Sequence, residues 1–168
     1  MATDVDVFAI KERIVDILDS DTALFDATGA NDKVRKITAG APRMADIKRE
    51  TTVPQIWVTN DTLIDDVKQR NPTANNAPVT QEHTLHFRLI LIDDAKDGAK
   101  AEEKLDDFVQ LIQQTITENY DLRTPGGLES TSVADSCVVQ QVIELNPLLI
   151  GTERSGRIIR LRVVVTST

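Results

Sequence analysis

The stretch from Gln81 to Tyr120 constrains this chain most. It reads as one long strand, a charged turn and one long amphipathic helix. Leu85, Phe87, Leu89 and Leu91 fall on one face of the strand at the two-residue period, with His83 on the same side. Thr84, His86, Arg88, Ile90 and Ile92 fall on the other. That second face turns from polar to apolar along the strand, so its far end is expected to be covered on both sides. Asp93-Asp94-Ala95-Lys96-Asp97-Gly98 then interrupts the alternation with turn residues. Ala101, Leu105, Phe108, Val109, Ile112 and Ile116 recur at helical spacing and make one apolar stripe. Glu102, Glu103, Asp106, Asp107, Gln110, Gln113 and Gln114 lie opposite it. Two apolar faces adjacent in sequence most simply pack on each other.

The flanks supply further elements. Val7, Ile10, Ile14, Ile17 and Leu18 predict a short first helix, with Thr3 or Asp4 as its cap. Val34 to Ile37 is a weak strand. Val53-Pro54-Gln55-Ile56-Trp57-Val58-Thr59 is a stronger one, with Pro54 at its start or on an edge. Trp57 is expected in the core. Asp61 to Arg70 reads either as a short helix or as an irregular excursion. Asn71 to Pro78 is polar, contains Pro72 and Pro78, and reads as an exposed loop. A loop excursion of this length, at about residues 60–80, is usually functional or disordered. Two strands close the chain. The first, Ser136 to Leu145, alternates with Cys137, Val139, Gln141, Ile143 and Leu145 on one face. The second, Arg157 to Thr166, carries Ile159, Leu161, Val163 and Val165 on one face and Ile158, Arg160, Arg162 and Val164 on the other. With 168 residues the chain is long enough for one ordinary core. The expectation is a single α+β domain over 1–168. A mixed, mostly antiparallel sheet carries a long helix and a short N-terminal helix, in the order α-β-β-β-α-β-β.

The formal net charge of −8 disfavours nucleic-acid binding by the whole surface. The charge is uneven. From Asp93 to Asp121 nine acids face three bases, whereas from Leu148 to Thr168 four arginines face Glu153 alone. An acidic and a basic segment on one small protein can complement each other between copies. Cys137 is the only cysteine and has no partner for an internal disulfide, which suits a reducing compartment. Met1-Ala2-Thr3-Asp4 lacks the basic and apolar regions of a signal peptide. No apolar run approaches a membrane span, and no membrane association is expected.

Motifs that carry chemistry are incomplete. Leu89-Ile90-Leu91-Ile92-Asp93-Asp94 resembles the strand of a nucleotide hydrolase, but no G-x-x-x-x-G-K-[ST] phosphate cradle exists. Asp94-Ala95-Lys96 matches a fragment of metal-dependent nucleases, yet it lies past the strand rather than on it. His83 and His86 point to opposite faces of a strand and cannot share a metal there. Asp61, Asp65 and Asp66 lack the glycine and closing glutamate of a calcium loop. Cys137 reads as a small buried or interfacial residue. The residues therefore predict no catalytic group, no metal and no cofactor.

The order of features resembles the tail terminator, or tail completion, proteins of long-tailed bacteriophages and related viruses. The resemblance rests on the short first helix, Val53-Pro54-Gln55-Ile56-Trp57-Val58, the excursion, and Leu85-His86-Phe87-Arg88-Leu89-Ile90-Leu91-Ile92. It continues through the helix Ala101-Glu102-Glu103-Lys104-Leu105-Asp106-Asp107-Phe108 and ends at Arg160-Leu161-Arg162-Val163-Val164-Val165. Residues 26–50 match nothing in that pattern. The resemblance implies a homo-oligomeric ring, usually hexameric, that caps the tail tube protein and joins the tail to the head–tail connector or neck protein. DNA would pass through it without sequence-specific binding. The protein would belong to the virion and assemble in the host cytoplasm. A ring needs one patch to meet a different patch. Arg154, Arg157, Arg160 and Arg162, with Asp106 and Asp107, are the expected subunit contacts. Asn71, Pro72, Asn75, Asn76 and Pro78 are the expected partner-contact loop. The alternatives are another tail or neck structural protein, such as a tube or connector subunit, and, more remotely, a metal-dependent nuclease.

Overall fold

The structure is a computed structural model and describes residues 5–43, 52–61, 66–70, 80–94, 98–123, 132–145 and 154–167. Among them run α1 (Val7–Ser20), β1 (Lys36–Ala39), β2 (Gln55–Asn60), β3 (Asp66–Arg70), β4 (Thr80–Asp94), α2 (Gly98–Glu118), β5 (Ser136–Leu145) and β6 (Arg154–Ser167). The fold is α+β, a mixed and mostly antiparallel sheet with the helices packed on it.

β4 is the axis of the sheet. One edge pairs with β6 from Gln81 to Asp94. The other edge is shared: β2 takes Phe87 to Ile92, and β3 takes Thr80 to Thr84. β1 lies outside β2 and parallel to it, and β5 lies outside β6 and antiparallel. The sheet order is therefore β1-β2-β4-β6-β5, with β3 on the free half of β4.

β3 is an element that sequence reasoning left undecided between a helix and an excursion. Its one apolar residue, Val67, is 45% exposed. The strand pairs with β4 through Asp66 to Arg70, and with Val67 as its one apolar residue the sequence there has no hydrophobic period to read. The connection at 71–79, which holds the expected contact loop, lies outside the described residues. It joins β3 to β4.

The helices cover one face of the sheet. Asp6 caps α1, its Oδ1 accepting from the Phe8 and Ala9 amides at 3.0 Å. Thr3 and Asp4, the expected caps, lie outside the described residues. α1 rests on β1 and β2, and α2 rests on β4, β5 and β6. Thr115 Oγ1 donates to Asp21 Oδ2 at 2.5 Å and ties the two helices together. Leu85, Phe87, Leu89 and Leu91 meet Leu105, Phe108, Ile112 and Ile116 in the core, with Ile159, Leu161 and Val163 beside them. Each such side chain contributes about 1.5–3 kcal/mol on burial, so the predicted strand–helix packing is the main store of stability.

β5 departs from the predicted alternation. Val139 pairs with Leu161 and Gln141 with Arg160, so Gln140 is an extra residue in the ladder. Such a bulge sends every later side chain to the other face. Cys137 and Val139 stay on the core side, but Gln141, Ile143 and Leu145 turn away from it. This shift gives the helix-free face its own small apolar cluster. Trp57 and Ile92 are buried there, with Ile90 and Leu145 packed against them. Trp57 is thus buried as expected, but behind the sheet rather than beneath the helices.

Gly156 sits beside this second cluster. A Cβ built there would stand 2.7 Å from the Leu91 carbonyl oxygen and 3.1 Å from Leu145 Cδ2. The first contact is backbone of the central strand, which cannot swing aside as a side-chain tip can. Gly156→Ala is therefore expected to cost about 1–3 kcal/mol, read as a lower urea midpoint at unchanged slope. An unchanged midpoint would show that β4 and β6 can separate there freely.

Candidate interaction surface

The acidic end of β4 is used inside the chain. Asp93 is buried, and its Oδ2 lies 2.8 Å from Lys104 Nζ, which also meets Asp32 Oδ1 at 2.6 Å. Burial pulls the Lys104 ammonium down, but its hydrogen bonds and charge contacts with Asp32 and Asp93 outweigh that and hold it above its ordinary value. Asp94 lies 3.7 Å from Arg154 Nε. The pair that resembled a metal-binding edge thus closes the strand end onto α2 and β6. Lys96, the other half of the nuclease-like fragment, lies outside the described residues. Among the described residues no three His, Cys, Asp or Glu side chains group so as to hold a metal ion.

The two histidines separate as the strand period predicts. His83 Nε2 lies 3.1 Å from Ser167 Oγ across the β4–β6 ladder, whereas His86 stands on the opposite face beside Arg162. Cys137 is buried, and that burial pushes its thiol up to about 12. It is a core residue held in the neutral form.

The four expected interface arginines part company. Arg157 lies on the helix-covered face, opposite Leu91. Its side chain is 6% exposed and donates to Glu102, and to Asp106 Oδ1 at 3.0 Å, both on the α2 of the same chain. These contacts hold Arg157 above its ordinary value against the pull of burial. Arg157 and Asp106 were expected across a subunit boundary; the structure pairs them with each other, within one chain. The reason is positional: β6 runs out from under the apolar stripe at Arg157, and the first turns of α2 place two carboxylates above it. Arg154 closes on Asp94 as above.

Arg160 and Arg162 lie on the helix-free face. Arg160 stands opposite Arg88 of β4, and Arg162 opposite His86. Asp61, which follows β2, sits between the first two. Its Oδ1 is 3.2 Å from Arg88 Nε and its Oδ2 is 3.0 Å from Arg160 Nε. Neither Nε–H is aligned to hydrogen-bond, so Asp61 acts on both mainly through its charge. The remaining guanidinium groups reach outward: Arg88 Nη2 donates to the Asn60 carbonyl and Arg160 Nη1 to Gln141 Oε1, each at 3.3 Å. Arg162 is exposed and makes no ion pair among the described residues. A shallow hollow of about 570 Å³ opens here, lined by Asp61, His86, Gln140, Gln141 and Arg160. The arrangement brings two guanidinium groups to one acid, with a third, Arg162, exposed beside them. It suits the binding of carboxylates on another molecule.

Asp107 is exposed on the far side of α2, one helical turn beyond the equally exposed Glu103. Sequence reasoning did not place Arg88, Asp61 or Glu103 at an interface, and weighed Asp61 only as a calcium ligand. Arg88 was legible, because the period of β4 places it on the face away from the leucines. Asp61 was not, because nothing in its neighbours says that the chain turns back over β4 there.

No family model matches the chain, and no curated protein matches it.

The Arg157 cluster has an asymmetry that can be measured. Its two carboxylates are 47% and 62% exposed, so losing the arginine returns them to water, whereas losing both acids strands a buried cation. Arg157→Met is expected to cost less than about 1.5 kcal/mol, and Glu102→Ala with Asp106→Ala about 2–4 kcal/mol. Alanine does not weaken the helix itself. Urea denaturation of the two variants gives the comparison; equal costs would mean that the arginine is better solvated than its burial implies.

Proposed function

We propose that this chain is a structural protein of a virion tail, a tail terminator that forms a ring on the end of the tail tube. The observation that supports this best is the difference between the two faces of the sheet. One is covered by helices that carry eight acids against four bases. The other is free of helices among the described residues and carries Arg88, Arg160 and Arg162 around Asp61. A protein whose opposite faces differ in charge and are each complementary to the other makes head-to-tail contacts, which close into rings or continue as filaments.

In this reading the ring is homo-oligomeric, with six copies as the resemblance implies. It caps the last ring of tube subunits, ends tube growth and presents its other surface to the head–tail connector. The 71–79 connection, carried on β3 and β4, would meet the tube or the connector. DNA passes through the ring without being read, and the net charge of −8 favours passage over retention. No side chain is assigned a catalytic role and no cofactor is required. The same two-faced charge would also serve a tube subunit if the rotation between copies does not close. The nuclease reading is weaker, because Asp93 is engaged by Lys104 and Asp94 lies near Arg154.

Negative-stain images of the purified protein decide between these. Closed rings of six copies are expected, and added to polymerising tube protein they should shorten the tubes. Long fibres would assign the chain to the tube instead, and monomers at every concentration would overturn both structural readings.

A further inference from the structure

We infer that the sheet face at Arg160 and Arg162, free of helices among the described residues, receives Glu103 and Asp107 from α2 of a second copy. The inference rests on the self-assembly reading above and names the contact that would build it. Each cluster is unfavourable alone. Arg88 and Arg160 stand directly opposite each other on neighbouring strands, with His86 and Arg162 as the next outward-facing pair, and Asp61 is the one acid among them. Like charges so placed are destabilising in a sheet. Glu103 and Asp107 are like charges four residues apart on a helix, which is destabilising as well. The nearby cations are engaged: Lys104 holds Asp32 and Asp93, and Lys33 Nζ donates to the Thr22 carbonyl at 2.5 Å. Each cluster is relieved by the other.

The spacing also fits. Four helical residues rise about 6 Å, and two strand residues advance about 6.6 Å. A helix lying along β6 can therefore offer Glu103 and Asp107 to Arg160 and Arg162 at once. β6, with 14 residues, is about 46 Å long, and α2, with 21 residues, is about 32 Å long, so the helix can lie along the strand. Exposed Val138, opposite Arg162 on β5, adds apolar surface beside the arginines. Arginine beside exposed apolar residues is the composition that interfaces favour.

The test is a charge exchange on the full-length protein, read by native mass and sedimentation at low salt. Arg162→Glu, Glu103→Arg and Asp107→Arg are each expected to weaken association by about tenfold or more. Combining Arg162→Glu with the one helix reversal that faces it, Glu103→Arg or Asp107→Arg, is expected to restore it. Circular dichroism and thermal midpoints close to wild type show that these exposed positions leave the fold intact. If the wild-type protein assembles and the variants assemble equally well, the contact lies elsewhere and the ring reading survives. If either side breaks assembly and the exchange fails to restore it, α2 is not the occupant. If the wild-type protein does not assemble at all, the ring reading fails together with this inference.

Discussion

The backbone of β4 is the constraint from which the rest follows. Fifteen residues in one extended strand present donors and acceptors on both edges, and buried ones must be paired. β6 satisfies almost one whole edge, and β2 and β3 divide the other. Four of its side chains also form one apolar row, which must be covered. α2 follows β4 after a short connection and can reach only the near face. Backbone pairing therefore sets the width of the sheet, and the row of Leu85, Phe87, Leu89 and Leu91 decides which face is dry.

That same choice leaves the other face for charge. The outward row of β4 begins with threonine, histidine and arginine and becomes apolar only at Ile90 and Ile92. The bulge at Gln140 then brings Leu145 round to join Trp57 and Ile92, so one end of the face is packed while the centre stays polar. Asp61 neutralises part of the arginine cluster, and the remainder is unbalanced. Arg157, one residue off this row, spends its charge on Glu102 and Asp106 instead. Two of the four arginines expected to act together thus close on acids of their own chain, Arg154 on Asp94 and Arg157 on the opposite face.

Much of the fold was legible because it is built from strong periods. The row in β4, the stripe in α2 and both faces of β6 follow from residue spacing alone. What escaped had physical causes. β3 has one apolar residue in five, so it has no period. The β5 bulge adds one residue that no composition marks, and it reverses the facing of everything after Gln140. The acid pair Asp93-Asp94 suggested chemistry, but its partner Lys104 lies a helix turn past the connection and only the fold brings it near. On the candidate surface, alternation put Arg160 and Arg162 on one face of β6 and Arg88 on one face of β4, and only the β4–β6 pairing brings them together. The position of Asp61 between them required the three-dimensional path of the chain.

The central claim is that the helix-free face becomes buried between copies. Hydroxyl-radical footprinting across a dilution series measures this most directly, through the peptides that carry His86, Val138, Ile158 and Arg160. The account expects these side chains to be labelled in the dilute protein and protected as it assembles, with core residues such as Phe87 unlabelled throughout. Equal labelling of this face before and after assembly would contradict it.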